Sequence, residues 1–452
     1  MNKNILAVNV GKSVALGLKF FKVGSGTSMP GIIAKKFSPN ILSDLINQTK
    51  KEIITVTGTN GKTTTSNFIS QILKSAGRKV ANNAEGANML TGITTAMIEN
   101  ANCFAKLDAD NSVLESDEAY LKIFADYFCA DYLLVTNLFR DQLDRYGELD
   151  ATAKMINTAI EKFKAKAEKL DKTFNVVLNA DVPSIQCLAD ENTTFFGFDD
   201  IKFSFNHNSP NEDVPCKCGR TLKYSKNYYG QVGHYYCECG FKRPETYLKA
   251  TAEVFVDYSV LNIKNPETNE EFTVTINVPG IYNAYNALGA ITIGIKLGIK
   301  SEDIIKAFNT YKTVFGRADN QILKGKKTIT QLIKNPVGAN EVLQTVNDDD
   351  NARVLIIIND NFGDGRDVSW LWDANFEILQ NNKKEIVVSG IRCLDMAVRL
   401  KYAGINEQNI IVEPDLKKAL LKSLDLTKDD EKLYILPCYT AMLDIYKLFP
   451  KL

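Results

Sequence analysis

The sequence predicts an α/β protein of at least two domains built on parallel sheets, and three observations lead there. Its 452 residues exceed the roughly 250–300 that one hydrophobic core accommodates. Short β-rich runs alternate with stretches of helical periodicity, the pattern of βαβ units. That alternation breaks off twice, at a polar, tyrosine-rich, cysteine-bearing tract over residues 205–244 and again between Arg317 and Lys327. The first break reads as an inserted module and the second as a domain boundary.

Residues 1–51 form a basic N-terminal segment, with eight lysines against the single acid Asp44 and apolar residues at helical spacing around Val14, Leu18 and Phe21. Gly24-Ser-Gly-Thr breaks that helix. Such a surface suits an anionic partner or a membrane leaflet, but a solvated helix face is the plainer and favoured reading. A central domain over 52–318 opens with the strand Ile53-Ile-Thr-Val-Thr57 and a helix over 65–76, and Tyr132-Leu-Leu-Val-Thr and Asn175-Val-Val-Leu-Asn continue the pattern. After the insertion, α/β alternation is expected to resume. Over 319–452, Val354-Leu-Ile-Ile-Ile, Glu385-Ile-Val-Val-Ser and Leu433-Tyr-Ile-Leu read as buried parallel strands of a smaller C-terminal α/β domain.

Lys plus Arg equals Asp plus Glu at 54 each, so the chain lacks the basic excess that affinity for phosphate backbones requires, and a nucleic-acid binder is not expected. No apolar run reaches the ~18–20 residues of a membrane span, and no small-residue cleavage site follows an apolar N-terminal stretch. The reading is of a cytoplasmic chain. Cys103, Cys129, Cys187, Cys393 and Cys438 lie singly among apolar neighbours and are expected to be small buried hydrophobes. With His207 and His234 as the only histidines, a Cys-His or Ser-His-Asp centre has little to draw on.

Thr57-Gly-Thr-Asn-Gly-Lys-Thr-Thr-Thr65 follows a strand and opens a helix. In that setting loop N–H groups and the helix N-terminus hold phosphates. Gly58, Thr59, Asn60, Gly61, Lys62, Thr63 and Thr64 are thus candidate ATP-binding residues, with Lys62 directed at the β- and γ-phosphates and the Thr63 hydroxyl a ligand for Mg2+. The spacing departs from the usual P-loop, since Val56 stands where the first glycine belongs; a plain glycine turn before a helix is the alternative. A metal there needs an acid, and Ser112-Val-Leu-Glu-Ser-Asp-Glu118 offers three at a strand end. Glu115 is the expected Mg2+ ligand. Asp117 and Glu118 are read as its outer partners or as solvated acids at a helix start, where the dipole favours them.

Cys216-Lys-Cys-Gly and Cys237-Glu-Cys-Gly, separated by residues 219–236, have the look of zinc-ribbon knuckles, although each pair is Cys-x-Cys and not the commoner Cys-x2-Cys. Four thiolates from Cys216, Cys218, Cys237 and Cys239 close a tetrahedral Zn2+ site with no open position, so the expected role is structural. Asn359-Asp-Asn-Phe-Gly-Asp-Gly-Arg-Asp-Val-Ser-Trp-Leu-Trp-Asp373 follows a buried strand and gathers acids and both tryptophans on one loop. Loops at strand carboxyl ends are where α/β proteins place ligands. The plainer reading is an Asx turn, with Asp367 capping a helix and the tryptophans in the core.

The Gly-Thr-Asn-Gly-Lys-Thr-Thr loop, the stretch Thr136-Asn-Leu-Phe-Arg-Asp-Gln-Leu-Asp-Arg-Tyr-Gly147, Leu178-Asn-Ala-Asp181 and Gly280-Ile-Tyr-Asn-Ala-Tyr-Asn-Ala-Leu288 together resemble the Mur ligase family. The resemblance implies ATP-dependent joining of a carboxylate to an amine through an acyl phosphate. It places Asn283 and Asn286 near the adenine and has Arg317, of the Gly316-Arg317 pair, approach the nucleotide; capping and turn hydrogen bonds are the alternative for the two asparagines. Two departures narrow the choice. Gln142 stands where typical members carry a metal-binding histidine, and Leu332-Ile-Lys-Asn-Pro336 where the family often shows Tyr-Ala-His-Asn-Pro. The N-terminal segment is also short for a uridine-nucleotide domain.

With the ribbon and the Asp-Gly-Arg-Asp-x-Ser-Trp segment added, the sequence resembles the MurT branch of that family. This implies amidation of the α-carboxyl of D-glutamate in the lipid II stem peptide, with ammonia from a separate, GatD-like glutamine amidotransferase subunit in a heterodimer, at the inner face of the membrane. It implies too that Asp367, on the partner-facing loop 359–373, completes the partner's Cys-His pair, alongside Lys62 and Glu115 in the ligase chemistry. A stand-alone Mur or folylpolyglutamate-type amino-acid ligase and a non-enzymatic ATP- and zinc-binding scaffold are the two rival readings.

Overall fold

Buried β-branched runs set the first sheet. In the computed structural model, which describes residues 2–21, 28–83, 87–139, 149–204, 214–255, 258–311, 317–361, 363–381 and 384–451, three helices lead in: α1 (Lys3–Phe21), α2 (Met29–Phe37) and α3 (Ile41–Ile46). Then come β1 (Ile53–Thr57), α4 (Lys62–Ser75), β2 (Val80–Asn82), α5 (Leu90–Asn100), β3 (Asn111–Glu115), α6 (Glu118–Tyr127), β4 (Tyr132–Val135), α7 (Leu149–Lys169), β5 (Asn175–Asn179) and β6 (Thr194–Phe196). All five residues of β1 and of β3 are buried, so neither strand shows polar alternation. The sheet is wholly parallel, in the order β2-β3-β1-β4-β5-β6. The chain leaves β1 toward one edge and β3 toward the other. Their carboxyl ends therefore flank the kind of crevice in which α/β sheets bind ligands.

Ala7, Val8, Ala34, Ile41, Leu42 and Leu45 join the same core as this sheet, so the N-terminal helices are anchored from within. Helix α2 crosses α5 at Gly31, whose N–H donates to Thr95 Oγ1 at 2.9 Å. A Cβ there would fall 2.2 Å from the Thr91 carbonyl oxygen, so only glycine lets the two helices approach this closely. No helix among the described residues is long and apolar enough to cross a membrane.

The tract after the insertion departs from the expected alternation. Strand β7 (Asp200–Phe203) is followed by the ribbon pair β8 (Lys223–Tyr229) and β9 (Val232–Tyr236), then by β10 (Lys249–Val254), β11 (Ser259–Asn265) and β12 (Glu270–Ile276). The last three are antiparallel neighbours in a sheet of order β12-β11-β10-β7. The reason is visible in β10, where Ala250, Ala252 and Val254 are buried while Lys249, Thr251 and Glu253 are exposed. Period-two burial marks a sheet with one wet face, which short turns can pair. Helices α8 (Ile281–Lys296) and α9 (Ser301–Asn309) close this part.

The C-terminal domain begins with an antiparallel hairpin, β13 (Arg317–Leu323) and β14 (Lys326–Gln331), and continues through α10 (Pro336–Asn347), β15 (Ala352–Ile357), α11 (Trp370–Asp373), β16 (Ile386–Ser389), α12 (Cys393–Tyr402), β17 (Ile410–Val412), α13 (Leu416–Leu426), β18 (Lys432–Pro437) and α14 (Tyr439–Leu448). The order is β13-β14-β18-β15-β16-β17, parallel apart from the hairpin. Val354 and Ile356 enter the core on one face, Leu355 and Ile357 that on the other, which explains the unbroken apolar run. Of the single cysteines, Cys129, Cys393 and Cys438 are buried as expected, whereas Cys103 and Cys187 are exposed.

The two domains meet beside the loop after β1. Asn335, the N-cap of α10, accepts from the Gly338 N–H at 2.9 Å and donates through Nδ2 to Asn60 Oδ1 at 3.0 Å. Lys334 Nζ donates to the Thr59 carbonyl at 3.4 Å. Farther along α10, Glu341 is buried near the Tyr229 phenol, with no hydrogen-bonding or ionic partner among the described residues. Burial pushes its carboxyl up to about 8 from an ordinary 4.5. The folded state thus holds a proton that the unfolded chain releases, and stability falls as pH rises from about 4.5 to about 8. Glu341→Gln removes that loss. In urea denaturation it should stabilise the protein at pH 8 by roughly 4 kcal/mol, with the gain vanishing near pH 4.5; an equal effect at both pH values would refute the assignment.

Candidate active site

The turn from β1 into α4 depends on two glycines. Gly58 and Gly61 have φ of 127° and 84°, a region that disfavours any side chain. A Cβ on Gly58 would lie 2.3 Å from Thr136 Oγ1, and one on Gly61 2.1 Å from Asn286 Oδ1. The end of β4 braces the loop from outside: the Asn60 N–H donates to Asn137 Oδ1 at 2.9 Å, the Thr59 N–H to the Asn137 carbonyl at 3.0 Å, and Thr136 Oγ1 to the Asn60 carbonyl at 2.7 Å. Thr59 and Thr64 are buried in it. What remains is a helix N-terminus, whose first N–H groups have no partner within the helix, which suits an anion.

Lys62 opens α4 and is buried, its ammonium donating to the Gly58 carbonyl at 2.5 Å and to Glu118 Oε1 at 3.0 Å. Burial alone would push Lys62 down, but the carboxylates of Glu118 and Glu115 outweigh it and hold the ammonium above its ordinary value. Thr63 Oγ1 donates to Glu115 Oε2 at 2.6 Å. Glu115 is positioned at the end of β3 by Asn83, whose side chain bonds both its N–H and its carbonyl at 2.8 Å, while Asn88 Nδ2 reaches Oε1 at 3.3 Å. A hydroxyl and a carboxylate converging beside a buried lysine are the hard oxygen donors by which Mg2+ is held when nucleotide phosphates complete its shell. The residues fit the metal.

Asp117 and Glu118 are not solvated. Asp117 caps α6 through the Ala119 N–H at 3.1 Å, and both acids are buried. Glu118 as the partner of Lys62, Asn83 and Asn88 as the supports of Glu115, and Asn137 and Asn335 as braces of the loop were not singled out from sequence. Only the acid run 115–118 carried a signal, and it did not reveal which acid faces which cation.

Asn283 and Asn286 lie in the first two turns of α8. Asn283 Nδ2 donates to the Pro279 carbonyl at 2.7 Å, and Asn286 Nδ2 to Asn283 Oδ1 at 3.2 Å. Local hydrogen bonds thus engage both, yet Asn286 also presses on Gly61 and so borders the phosphate loop. Arg317 opens β13; its side chain, Gly316, Gln142 and residues 205–213 of the insertion lie outside the described residues.

The four clustered cysteines converge. Sγ of Cys216 and Cys239 are 3.6 Å apart, those of Cys218 and Cys237 3.5 Å, and all four lie within 4.8 Å of one another. Tetrahedral Zn–S bonds of about 2.3 Å place sulfurs about 3.8 Å apart, so the donor set fits zinc. Both knuckles turn alike: Cys216 and Cys237 accept from the N–H of Gly219 and Gly240, glycines with φ of 85° and 94°. The Arg220 N–H, aimed at Cys218, is the first cause that pulls this thiol down to about 7. Asp181 fixes the module to the sheet. It is fully buried, pairs with Arg243 Nε, and accepts from Tyr285 Oη at 2.7 Å and the Phe198 N–H at 3.0 Å.

Asp367 is exposed on the loop after β15. It accepts from the Ser369 N–H at 2.8 Å and its hydroxyl at 2.9 Å, bonds that hold its carboxyl below the ordinary value. This is an Asx turn, but Ser369, not Asp367, is the N-cap of α11. The tryptophans are not core residues either: Trp370 is half-buried and Trp372 is 54% exposed, packed edge-on against Tyr402 at 5.6 Å. Asp364 does the structural work instead, binding the Thr440 N–H at 2.7 Å at the start of α14.

Two family models match the chain: the Mur ligase middle domain over residues 56–294 and the MurT ligase C-terminal family over 332–442. A Staphylococcus aureus protein described as lipid II isoglutaminyl synthase (glutamine-hydrolyzing) subunit MurT is 37% identical over 88% of both chains. Its Streptococcus pneumoniae counterpart, of the same description, is 36% identical over 99% of this chain and 97% of its own. Among solved structures, a pseudomurein peptide ligase type C from Methanothermus fervidus shares the fold at a TM-score of 0.68 and 24% identity, covering 89% of this chain and 79% of its own. Thermotoga maritima MurF in complex with ADP does so at 0.62 and 14%, covering 95% and 84%. On these matches the chain belongs to the Mur ligase family and, within it, to the MurT subunits.

Proposed function

We propose that this chain is the ATP-dependent ligase subunit that converts the α-carboxyl of D-glutamate in the lipid II stem peptide to the amide of D-isoglutamine, in peptidoglycan synthesis. The observation that carries the reading is the convergence of Lys62, Thr63 and Glu115 at the mouth of the parallel sheet. The relatives' shared description, lipid II isoglutaminyl synthase, supplies the substrate. The loop N–H groups and the α4 N-terminus bind the ATP phosphates, and Lys62 moves its charge from Glu118 to the phosphoryl group being transferred to the carboxylate. Thr63 and Glu115 would hold Mg2+, which neutralises phosphate charge when bound with ATP. Ammonia then displaces phosphate from the acyl phosphate. Asn283, Asn286 and Arg317 are assigned to the nucleotide, and Cys216, Cys218, Cys237 and Cys239 to a structural zinc.

The ammonia is assigned to a glutamine amidotransferase partner. Supporting this are the words "glutamine-hydrolyzing" and "subunit" in the relatives' description and an apolar surface on α12, where Leu394, Val398 and Tyr402 follow one another at i, i+4 and i+8, all exposed, with Trp372, five residues after Asp367, packed against Tyr402. Work from the cytoplasm on a lipid-linked substrate belongs to the same proposal. Amidation of lipid II by the chain together with a glutaminase subunit, followed by mass spectrometry, tests it; ATP turnover independent of lipid II would refute it.

Lys62→Ala should lower amidation by about two to three orders of magnitude. Because it strands the buried Glu118, the pair Lys62→Met with Glu118→Gln separates lost chemistry from lost folding; wild-type turnover in either would remove the loop from the mechanism. Asp367→Asn should impair amidation driven by glutamine and spare that driven by free ammonium, since a carboxylate that orients a partner's histidine serves only the glutaminase. Loss of both activities would assign Asp367 to the ligase or the fold. Metal analysis should find one zinc per chain, and Cys237→Ser should lower both zinc content and thermal stability; a zinc-free, equally stable wild type would exclude the metal.

A further inference from the structure

We propose that the outer face of the α1–α2 hairpin docks on an anionic phospholipid leaflet. Every ionisable side chain among residues 1–43 is a lysine. Of the described ones, Lys3, Lys12, Lys35 and Lys36 form no ion pair among the described residues: Lys12 reaches only the Glu99 carbonyl, at 3.4 Å, and Lys35 the Tyr127 hydroxyl, at 3.2 Å. Glu99 meets Lys12 through its backbone carbonyl, and Asp44 accepts from Asn4. Apolar side chains project from the same helices although their inner faces are satisfied by the core. Leu16 near the end of α1 is 69% exposed, and Met29 and Ile32 on the first turns of α2 are 52% and 41% exposed. On α2, Met29, Ile32 and Lys36 follow at i, i+3 and i+7, one stripe of the helix.

A surface of one charge sign with separate projecting apolar side chains matches a lipid headgroup layer, where basic residues bind the anionic surface and apolar tips enter the acyl boundary. Neither feature suffices alone, whereas two such signals together give stable attachment. Placement agrees. Gly31 contacts Thr91 and Thr95 on α5, the helix that begins just after Asn88, whose amide reaches Glu115. The stripe therefore sits at the active-site end of α5, where a headgroup held in the membrane can meet the nucleotide crevice. This inference rests on the reading of a lipid-linked substrate.

The test is co-sedimentation of the full chain with vesicles of phosphatidylglycerol and phosphatidylethanolamine, against phosphatidylcholine alone. The expected result is at least tenfold stronger partition onto the anionic vesicles, weakened by salt and reduced about tenfold in Leu16→Glu with Ile32→Glu and, separately, in Lys12→Gln with Lys36→Gln. Circular dichroism identifies any variant that fails to fold. Both variants, with the glutaminase subunit present, should amidate a short-chain, water-soluble lipid II analogue at the wild-type rate. Absence of partition, equal partition onto neutral vesicles, or variants that bind vesicles like wild type but lose the glutaminase subunit would each overturn the membrane assignment while leaving the ligase reading intact. Failure of the wild type to amidate even the soluble analogue would instead refute the ligase reading.

Discussion

A lysine buried at the start of a helix has to be neutralised, and the centre of this protein is organised around that requirement. Lys62 sits at the positive end of α4, where no helix charge compensates it. Glu118 supplies the ion pair, and Glu115 and Asp117 add to the field that keeps the ammonium charged. Three acids facing one cation are a surplus of acid that burial opposes, and burial pushes the Glu118 carboxyl up even beside Lys62. Burying that surplus is tolerable because each acid is served by donors: Thr63 and Asn88 for Glu115, the Ala119 N–H for Asp117, Lys62 for Glu118. The same surplus is what a divalent cation arriving with a phosphate chain would neutralise.

The outlying parts are attached with unequal strength. Asp181 ties the cysteine ribbon to the end of β5 through a buried charge pair with Arg243 and two neutral donors, so removing either charge would strand the other. Arg399 does the same inside the C-terminal domain: buried under Trp372 and Phe376, it donates to the carbonyls of Leu371 and Ala374 and to Glu377, pinning the segment around α11 onto α12. The contact between domains is weaker in kind. Asn335 and Asn60 exchange amide hydrogen bonds, each worth about 1 kcal/mol net, and Lys334 donates to the Thr59 carbonyl.

What could be read from sequence was local. The strand, glycine loop and helix at 53–75 announce themselves within one contiguous stretch, and the two Cys-x-Cys-Gly knuckles repeat a single turn, so both emerged from spacing. The C-terminal strands were legible because burial on both faces leaves an unbroken apolar run. Misreadings arose where the environment is supplied from far along the chain. Glu118 looks like a solvated helix-start acid until Lys62, 56 positions away, is seen to bury it. The antiparallel strands at 249–276 alternate in burial with polar and small residues such as Thr251 and Ala252, a weak signal beside the strong helices that follow them. The plainer reading of the loop, with its tryptophans in the core, rests on residue type, a one-way rule that says little about any single aromatic.

The loop after β15 divides its acids by role, and the division bears on what Asp367 is for. Asp364 is buried and spends its carboxylate on Thr440, which locks the loop to the start of α14. Asp360 pairs with Arg392 and so fixes the other side of the loop near α12. Asp367 does neither. Its two contacts are both with Ser369, two residues on, and their effect is to orient the carboxylate and keep it ionised while it faces solvent. Under the proposed role, a carboxylate offered to a histidine on another chain gains from apolar surface that excludes water, and Trp372, five residues on, packs against Tyr402 of α12, where Leu394 and Val398 are also exposed. The fold thus keeps the glycine-loop site at the carboxyl ends of one sheet and an outward-facing acid at the carboxyl end of the other, the separation that the proposed division between ligase and glutaminase calls for.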